Sequence, residues 1–446
     1  MKIVHASILL ALAMFTAQLS ANHGLKSKVD TELTKTKEGL WVLTYRTGDK
    51  VKRIGFRRNP SDMRTKRWFA ISPDFEVVVD NGKEYIQRID GGAFKNVSLR
   101  LTATYAHIGK DYAPISPYSD GGALVHSGRL FACDDVCNDA VNKWPITVTV
   151  PENEFVIVNG QVYKDRVSWV DQNSGANIYI GAQKPTEEER FVSVIDKALP
   201  NKLKTAINQQ IPALMQYFEQ KLGKVNGVKP MLYASYSNKP GQDSQGGTFL
   251  SQIFMHWDMD NLEKRVQNEH FFNNTLWFFS HEVAHFYQRT QQNEKLYGDY
   301  QHAWLHEGGA EYFASLAVTD LFKEQQSFVA LNTDKHLKHC INGLAKTSLL
   351  EAAKSGQHKL YYSCGFLIHR MIDEETKQIS NGQYTIFDVW LRFRELVEQG
   401  NKVGTDTFWL AVSSFVSKDA INQLKKLTTE KIDSPDTYMQ TMLNRI

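Results

Sequence analysis

Two histidines four residues apart, in the stretch FFSHEVAHFYQR from Phe278 to Arg289, constrain this chain more than any other feature of its sequence. The surrounding run NEHFFNNTLWFFSHEVAHFYQR holds neither proline nor glycine, so it reads as a continuous helix. On that helix His281 and His285 share one face, with Cβ atoms roughly 5–6 Å apart. Two imidazoles at that spacing reach a single ion at about 2.0–2.1 Å. Glu282 is offset by one position, which sets its carboxylate beside an ion rather than on it, near a water that the ion polarises. A buried helix with two hydrogen-bonded histidines satisfies the same pentapeptide, so the neighbouring sequence has to decide.

It does so soon afterwards. AWLHEGGAEYFASLAV, residues 303 to 318, reads as a second amphipathic helix carrying Glu307 and Glu311 on one face. Trp304, Leu305, Tyr312 and Phe313 point to burial rather than a solvated face. Glu307 makes a third protein ligand and leaves one position open, the count of a catalytic rather than a structural zinc. Glu311, one turn later, is placed to accept a hydrogen bond from the far nitrogen of a ligand histidine and so fix its tautomer. Gly308, Gly309 and Ala310 let helices approach closely. His306 points about 100° away from Glu307 and is not expected on the ion. His126, His336, His339 and His369 read as structural or surface residues.

The rest of the chain bounds the class. At 446 residues it is long enough for two or three domains. Its apolar share of 42% and charged share of 23% are those of a water-soluble globular protein with a large core. A net charge of +3, with no long basic run, gives no footprint for nucleic acid. Lys2, the apolar run Ile8 to Phe15 and the small residues of TAQLSA read as an export signal spanning residues 1–21. No other apolar run is long enough to span a bilayer. The expected location is a periplasm or the extracellular space. There the four cysteines, Cys133, Cys137, Cys340 and Cys364, tend to pair. Of the three pairings, Cys133–Cys137 and Cys340–Cys364 are preferred because each closes a local loop.

From about residue 38 to 182 the chain is punctuated by β-branched and aromatic runs: LWVLTYRT, FEVVVD, VSLRLTATY, WPITVTVP, EFVIVNG and ANIYIG. This predicts an all-β, sandwich-like domain over residues 22–185. At QKPTEEERF, Thr186 and Glu189 form a capping-box pattern that predicts a helix start, with a stop at Gly223. KPMLYASYS and TFLSQIFMHW read as strands around the turn-rich NKPGQDSQGG, and the chain after residue 261 is mostly helical.

HEVAH followed by LHEGGAEY resembles the gluzincin metallopeptidases, in particular the aminopeptidase N and glycyl aminopeptidase branch. YYSCGFLIHRMID, from Tyr361 to Asp373, is similar to that branch's Tyr-x-x-Gly segment, matched by Tyr362 and Gly365. The resemblance implies an α+β thermolysin-like catalytic domain over residues 186–375, a helical subdomain over 376–446, and one zinc ion. It implies a peptide substrate cleaved by an activated water, with Glu282 as base and Tyr362 donating to the oxyanion. Two departures matter. The 21 residues between His285 and Glu307 are a few more than is usual in aminopeptidase N, which predicts a surface loop in RTQQNEKLYGDYQ. The branch's glutamate that holds a substrate's free amine has no counterpart. Its place falls on the edge strand SQGGTFLSQ, where Gly246, Gly247 and Thr248 offer backbone to an extended peptide and Asp243 is a weak substitute. The competing readings are an inactive peptide-binding protein on a peptidase fold, and a zinc hydrolase of another small amide or of an epoxide.

Overall fold

The computed structural model describes residues 29–109, 111–140, 142–225, 229–249, 251–289 and 300–444. The expected export signal and most of the expected surface loop after Arg289 lie outside them.

Three sheets make up the N-terminal part. A six-stranded sheet centres on Val29–Lys35 and Trp41–Val51, a four-stranded sheet on Arg53–Phe56 and Lys83–Arg88, and a five-stranded sheet on Phe155–Val158 and Asn177–Gly181. The period-two pattern explains the first: Trp41, Leu43 and Tyr45 point inward while Val42, Thr44 and Arg46 are less buried. All three sheets contribute to one core that includes Leu43, Ile54, Ile86, Val125 and Val156.

Between Gly181 and Thr186 the chain passes into a fourth sheet, in the order Thr186–Glu187, Val192–Ile195, Met231–Tyr236, Gln252–Met259, Gln242–Phe249. Here the structure departs from two expectations. TEEER does not start a helix. It forms a short strand, Thr186 opposite Ser193, and the helix runs Asn201–Leu222. The apolar residues after Phe191 are taken into the sheet, parallel to Met231–Tyr236, and long-range pairing outweighs a local capping signal. That helix stops at Gly223, whose φ is +81°. TFLSQIFMHW is not one strand either. The chain reverses between Phe249 and Gln252, so the glycine-rich QDSQGGTF is itself a strand, antiparallel to Gln252–Met259. This places Gln242–Phe249 at the edge of the sheet, with one side unpaired by any strand among the described residues. Met231–Tyr236, two strands in, is buried at every position.

Helices pack below this sheet: Glu269–Tyr287, Ala303–Leu321, Gln326–Leu344 and Lys359–Ile379, followed by a helical C-terminal region from Ile386 to Leu443. They share one large core with the sheet, including Trp257, Phe279, Leu305, Phe313, Leu367 and Trp390. A smaller core of Tyr118, Leu124, Tyr179, Tyr233 and Phe254 joins the β-rich part to the fourth sheet. Cys133 is bonded to Cys137, and Cys340 to Cys364.

Candidate active site

The helix Glu269–Tyr287 starts where Asn268 accepts a hydrogen bond from the Phe271 amide, which satisfies one of its unpaired N–H groups. Three turns on, it presents His281 and His285 on one face, rings 4.5 Å apart and nearly perpendicular. The helix Ala303–Leu321 brings Glu307 to them. Its Oε2 lies 3.2 Å from Nε2 of His281 and 3.2 Å from Nε2 of His285. Ligand atoms about 2.0–2.1 Å from a shared tetrahedral ion stand about 3.3 Å apart, so these separations fit a zinc ion. His281, His285 and Glu307 form a group of possible metal ligands among the described residues.

The tautomer fits as well. Nδ1 of His285 meets Oε1 of Gln288 at 2.9 Å, and the Gln288 amide nitrogen donates to the His306 carbonyl at 3.1 Å. A Gln oxygen only accepts, so Nδ1 carries the proton and Nε2 turns its lone pair toward the gap. Gln288 escaped the sequence reading, although its spacing of three from His285 puts it on the same face.

Glu311 departs from its expected role. Its carboxylate lies 3.7 Å from Nδ1 of His281, too far for a hydrogen bond, and accepts instead from the Trp277 indole. It remains a close negative charge for His281, and it also lies 3.8 Å from His336. His336 stacks on Phe366. His369 is buried, with Nδ1 on the Gly365 carbonyl, and His126 is buried against Phe249. His306, next to Glu307, lies 3.5 Å from its other oxygen.

Glu282 is buried, and the Thr248 hydroxyl lies 2.7 Å from its Oε2. Burial raises its pKa, opposed by His281, His285 and Thr248. Glu307 goes the other way. Burial disfavours its charge, but the close approach of the His285 and His281 imidazoles holds it well below the usual carboxylate range. Two carboxylates within one site are thus driven apart, one toward holding a proton and one toward staying ionised.

The helix Lys359–Ile379 supplies Tyr362, whose ring stacks on His281. Its phenol is pushed well up, first by the charge of Glu307, then by burial and by Glu282. It therefore stays a proton donor. This helix crosses the Glu307 helix at two glycines: a Cβ on Gly308 would fall 2.3 Å from the Gly365 backbone. The Cys340–Cys364 bond ties it to the helix Gln326–Leu344.

These groups open onto a cavity of about 1130 Å³, walled on one side by the edge strand at Gly246, Gly247 and Thr248 and on another by the β-rich part. The glycines are needed for close approach. A Cβ on Gly246 would fall 2.2 Å from the Phe278 ring, and one on Gly247 would fall 2.8 Å from the Tyr112 hydroxyl. Asp243 is exposed on the same strand, 3.8 Å from His107, and does not line the cavity.

No protein-family profile and no curated protein matches the sequence. Solved structures do. An aminopeptidase N family protein from Idiomarina loihiensis superposes with a TM-score of 0.62 at 12% identity, over 91% of this chain and 76% of that one. Leukotriene A4 hydrolase from Saccharomyces cerevisiae gives 0.47 at 10% identity, over 90% and 66%. Legionella pneumophila aminopeptidase A in complex with aspartic acid gives 0.49 at 12%, over 91% and 49%. At such identities the first likeness is one of fold: multiple sheets followed by a helical region, arranged as in the aminopeptidase N family of gluzincin zinc metallopeptidases.

Proposed function

We propose that this chain is an exported zinc metallopeptidase of the gluzincin type. One observation carries the reading: three ligand atoms of the right chemistry converge in the lining of a large cavity, with a buried carboxylate and a phenol beside them. His281, His285 and Glu307 would hold one zinc ion. When bound, zinc supplies a Lewis acid and lowers the pKa of a water toward about 7. The chain's own residues do the rest. Gln288 fixes the tautomer of His285. Glu282, its pKa raised, takes a proton from the attacking water and passes it to the leaving amine. Thr248 holds the Glu282 carboxylate in place. Tyr362 aims its phenol where the substrate's carbonyl oxygen gains charge. Gly246, Gly247 and Thr248 offer an extended peptide an unpaired strand edge.

The catalytic unit of this reading is a thermolysin-like domain over residues 186–375, with the β-rich part of residues 22–185 as the opposite wall and residues 376–446 as a helical buttress. The two disulfides suit an oxidising compartment. No helix among the described residues is long and apolar enough to cross a membrane.

A mixture of peptides digested by the zinc-loaded protein, with cut positions read by mass spectrometry, tests the function. Glu282→Gln is expected to lower turnover by roughly 10²–10⁴-fold while zinc content is retained. Unchanged turnover in that variant would remove the mechanism, and bound zinc with no cleavage of any peptide would remove the function.

A further inference from the structure

The edge strand has two faces, and a different part of the chain covers each. Gly246 and Thr248 face the helix Glu269–Tyr287: Gly246 abuts the Phe278 ring, and the Thr248 hydroxyl reaches Glu282 at 2.7 Å. Gln245, Gly247 and Phe249 alternate with them and face the β-rich part. There one side chain latches the segment Asp111–Ala113 to the strand. The Ala113 amide donates to Oε1 of Gln245 at 2.7 Å, and Nε2 of Gln245 donates to the Asp111 carbonyl at 2.7 Å. The buried Arg129 holds the same segment, pairing with the Asp111 carboxylate and donating to the Tyr112 carbonyl at 2.8 Å.

Tyr112 is the residue that this latch sets in place. Its ring packs on Phe249 at 4.8 Å and on Phe254 at 5.3 Å. Its hydroxyl rests against Gly247, the residue before Thr248, where only a glycine leaves room for it. Burial first, and then the charges of Glu282 and Glu307, push the phenol's pKa well up, so it keeps its proton. Tyr112 lines the cavity, and its hydroxyl makes no hydrogen bond among the described residues. A proton donor without a partner thus stands beside the strand edge, one residue from the side chain that holds Glu282.

An extended peptide on the edge Gly246–Thr248 turns part of its backbone toward the strand and part away from it. Carbonyls turned away and buried in the cavity are costly unless a donor meets them. We infer that the Tyr112 hydroxyl donates a hydrogen bond to a backbone carbonyl of the bound peptide. The inference rests on the peptide-binding reading of this cavity and deepens it, because the β-rich part then supplies a substrate contact and is more than a passive wall. Its task differs from that of Tyr362. Tyr362 stacks on His281, beside the proposed ion, whereas Tyr112 reaches the peptide from the β-rich wall, beside Gly247. A neutral phenol recognises backbone and brings no charge to anchor a terminal amine, in keeping with a strand that holds no glutamate.

Calorimetric titration of the zinc-loaded Glu282→Gln protein tests this without turnover. The probes are an N-acetylated, C-amidated alanine hexapeptide and its thioamide analogues, in which each carbonyl oxygen in turn is replaced by sulfur, a weak acceptor. Adding Tyr112→Phe should weaken binding of the parent peptide by about two- to tenfold. One thioamide peptide should bind the Glu282→Gln protein less tightly than the parent does and lose nothing further when Tyr112→Phe is added. That non-additive pair identifies the carbonyl. Tyr112→Leu supplies the same comparison if Tyr112→Phe does not fold. Parent-peptide affinity unchanged by the tyrosine variant, or the same loss for the parent and every thioamide peptide, would overturn the inference while leaving peptide binding intact. No binding of any probe would overturn it together with the peptide-binding reading. Cleavage by the wild-type protein is scored separately, so a protein that binds with the expected coupling but cuts nothing supports the inference and removes only the peptidase function.

Discussion

Gly308→Ala is the sharpest small perturbation of the site. The added methyl would sit 2.3 Å from both the carbonyl carbon and Cα of Gly365 and 2.7 Å from the Phe366 nitrogen. Ordinary contact begins near 3.4 Å, so the deficit is 1.1 Å, and it falls on backbone that no rotamer change can relieve. The helices must separate by about that much. Overpacking of this kind costs about 1–3 kcal/mol. Its more telling effect is on the ligand set. Gly308 follows Glu307, and Gly365 lies one turn after Tyr362. A shift near 1 Å exceeds the tolerance of about 0.2 Å on metal–ligand distances. Zinc affinity should therefore fall by roughly tenfold or more, as it does when groups supporting metal ligands are disturbed. The assay is competition with a zinc chelator, alongside denaturant unfolding of the metal-free protein. Gly48→Ala, where a Cβ meets nothing within 4 Å, should change neither quantity. If Gly308→Ala binds zinc as tightly as wild type, the crossing of these helices does not set the position of Glu307.

Other consequences are open to direct measurement. Gln288→Leu removes the acceptor for His285 Nδ1, and chelator competition should show zinc affinity lower by about 10–100-fold with the fold retained. Cys340→Ala with Cys364→Ala opens a loop whose ends are 24 residues apart, which should lower unfolding free energy by roughly 3–4 kcal/mol and leave Cys133–Cys137 intact in peptide mapping. His256 is buried with Nδ1 on the Ser235 hydroxyl, and burial lowers its pKa from 6.5 to about 3. Its folded pKa is depressed, so its neutral form supports stability fully above pH 6.5, and that support is lost as pH falls toward about 3. By pH 5 the loss from this group should be about 2 kcal/mol, and His256→Gln should flatten the acid side of the stability profile; an unchanged slope refutes it.

The parts of this architecture that were readable in sequence are those whose signal is local and repeated. FEVVVD is the strand Phe75–Asp80, and KPMLYASYS holds Met231–Tyr236. The helices Glu269–Tyr287 and Lys359–Ile379 follow from apolar runs with few breakers, whereas Ala303–Leu321, read as amphipathic, is buried on nearly every face. Thr186–Ile195 was misread because its capping pattern is local, whereas the parallel partner that claims it as strand lies almost forty residues away. The edge strand was obscured by its own packing: QDSQGGTF is poor in β-formers because Phe278 and Tyr112 leave no room for side chains at Gly246 and Gly247. Tyr112, Arg58 and Arg289 reach the cavity from three separate stretches of chain, and no spacing rule joins them. Glu311 faces the ligand helix as read, but its donor is Trp277, which sits one turn before His281 on that same helix and reaches the carboxylate first.

Everything in the proposed chemistry depends on one ion shared by three side chains. Crystals of the zinc-loaded protein, with anomalous diffraction recorded on either side of the zinc absorption edge, give the most direct answer. A single peak about 2.0–2.1 Å from Nε2 of His281, Nε2 of His285 and a Glu307 oxygen is the predicted result. A peak bound elsewhere, or one that leaves Glu307 unliganded, would contradict it.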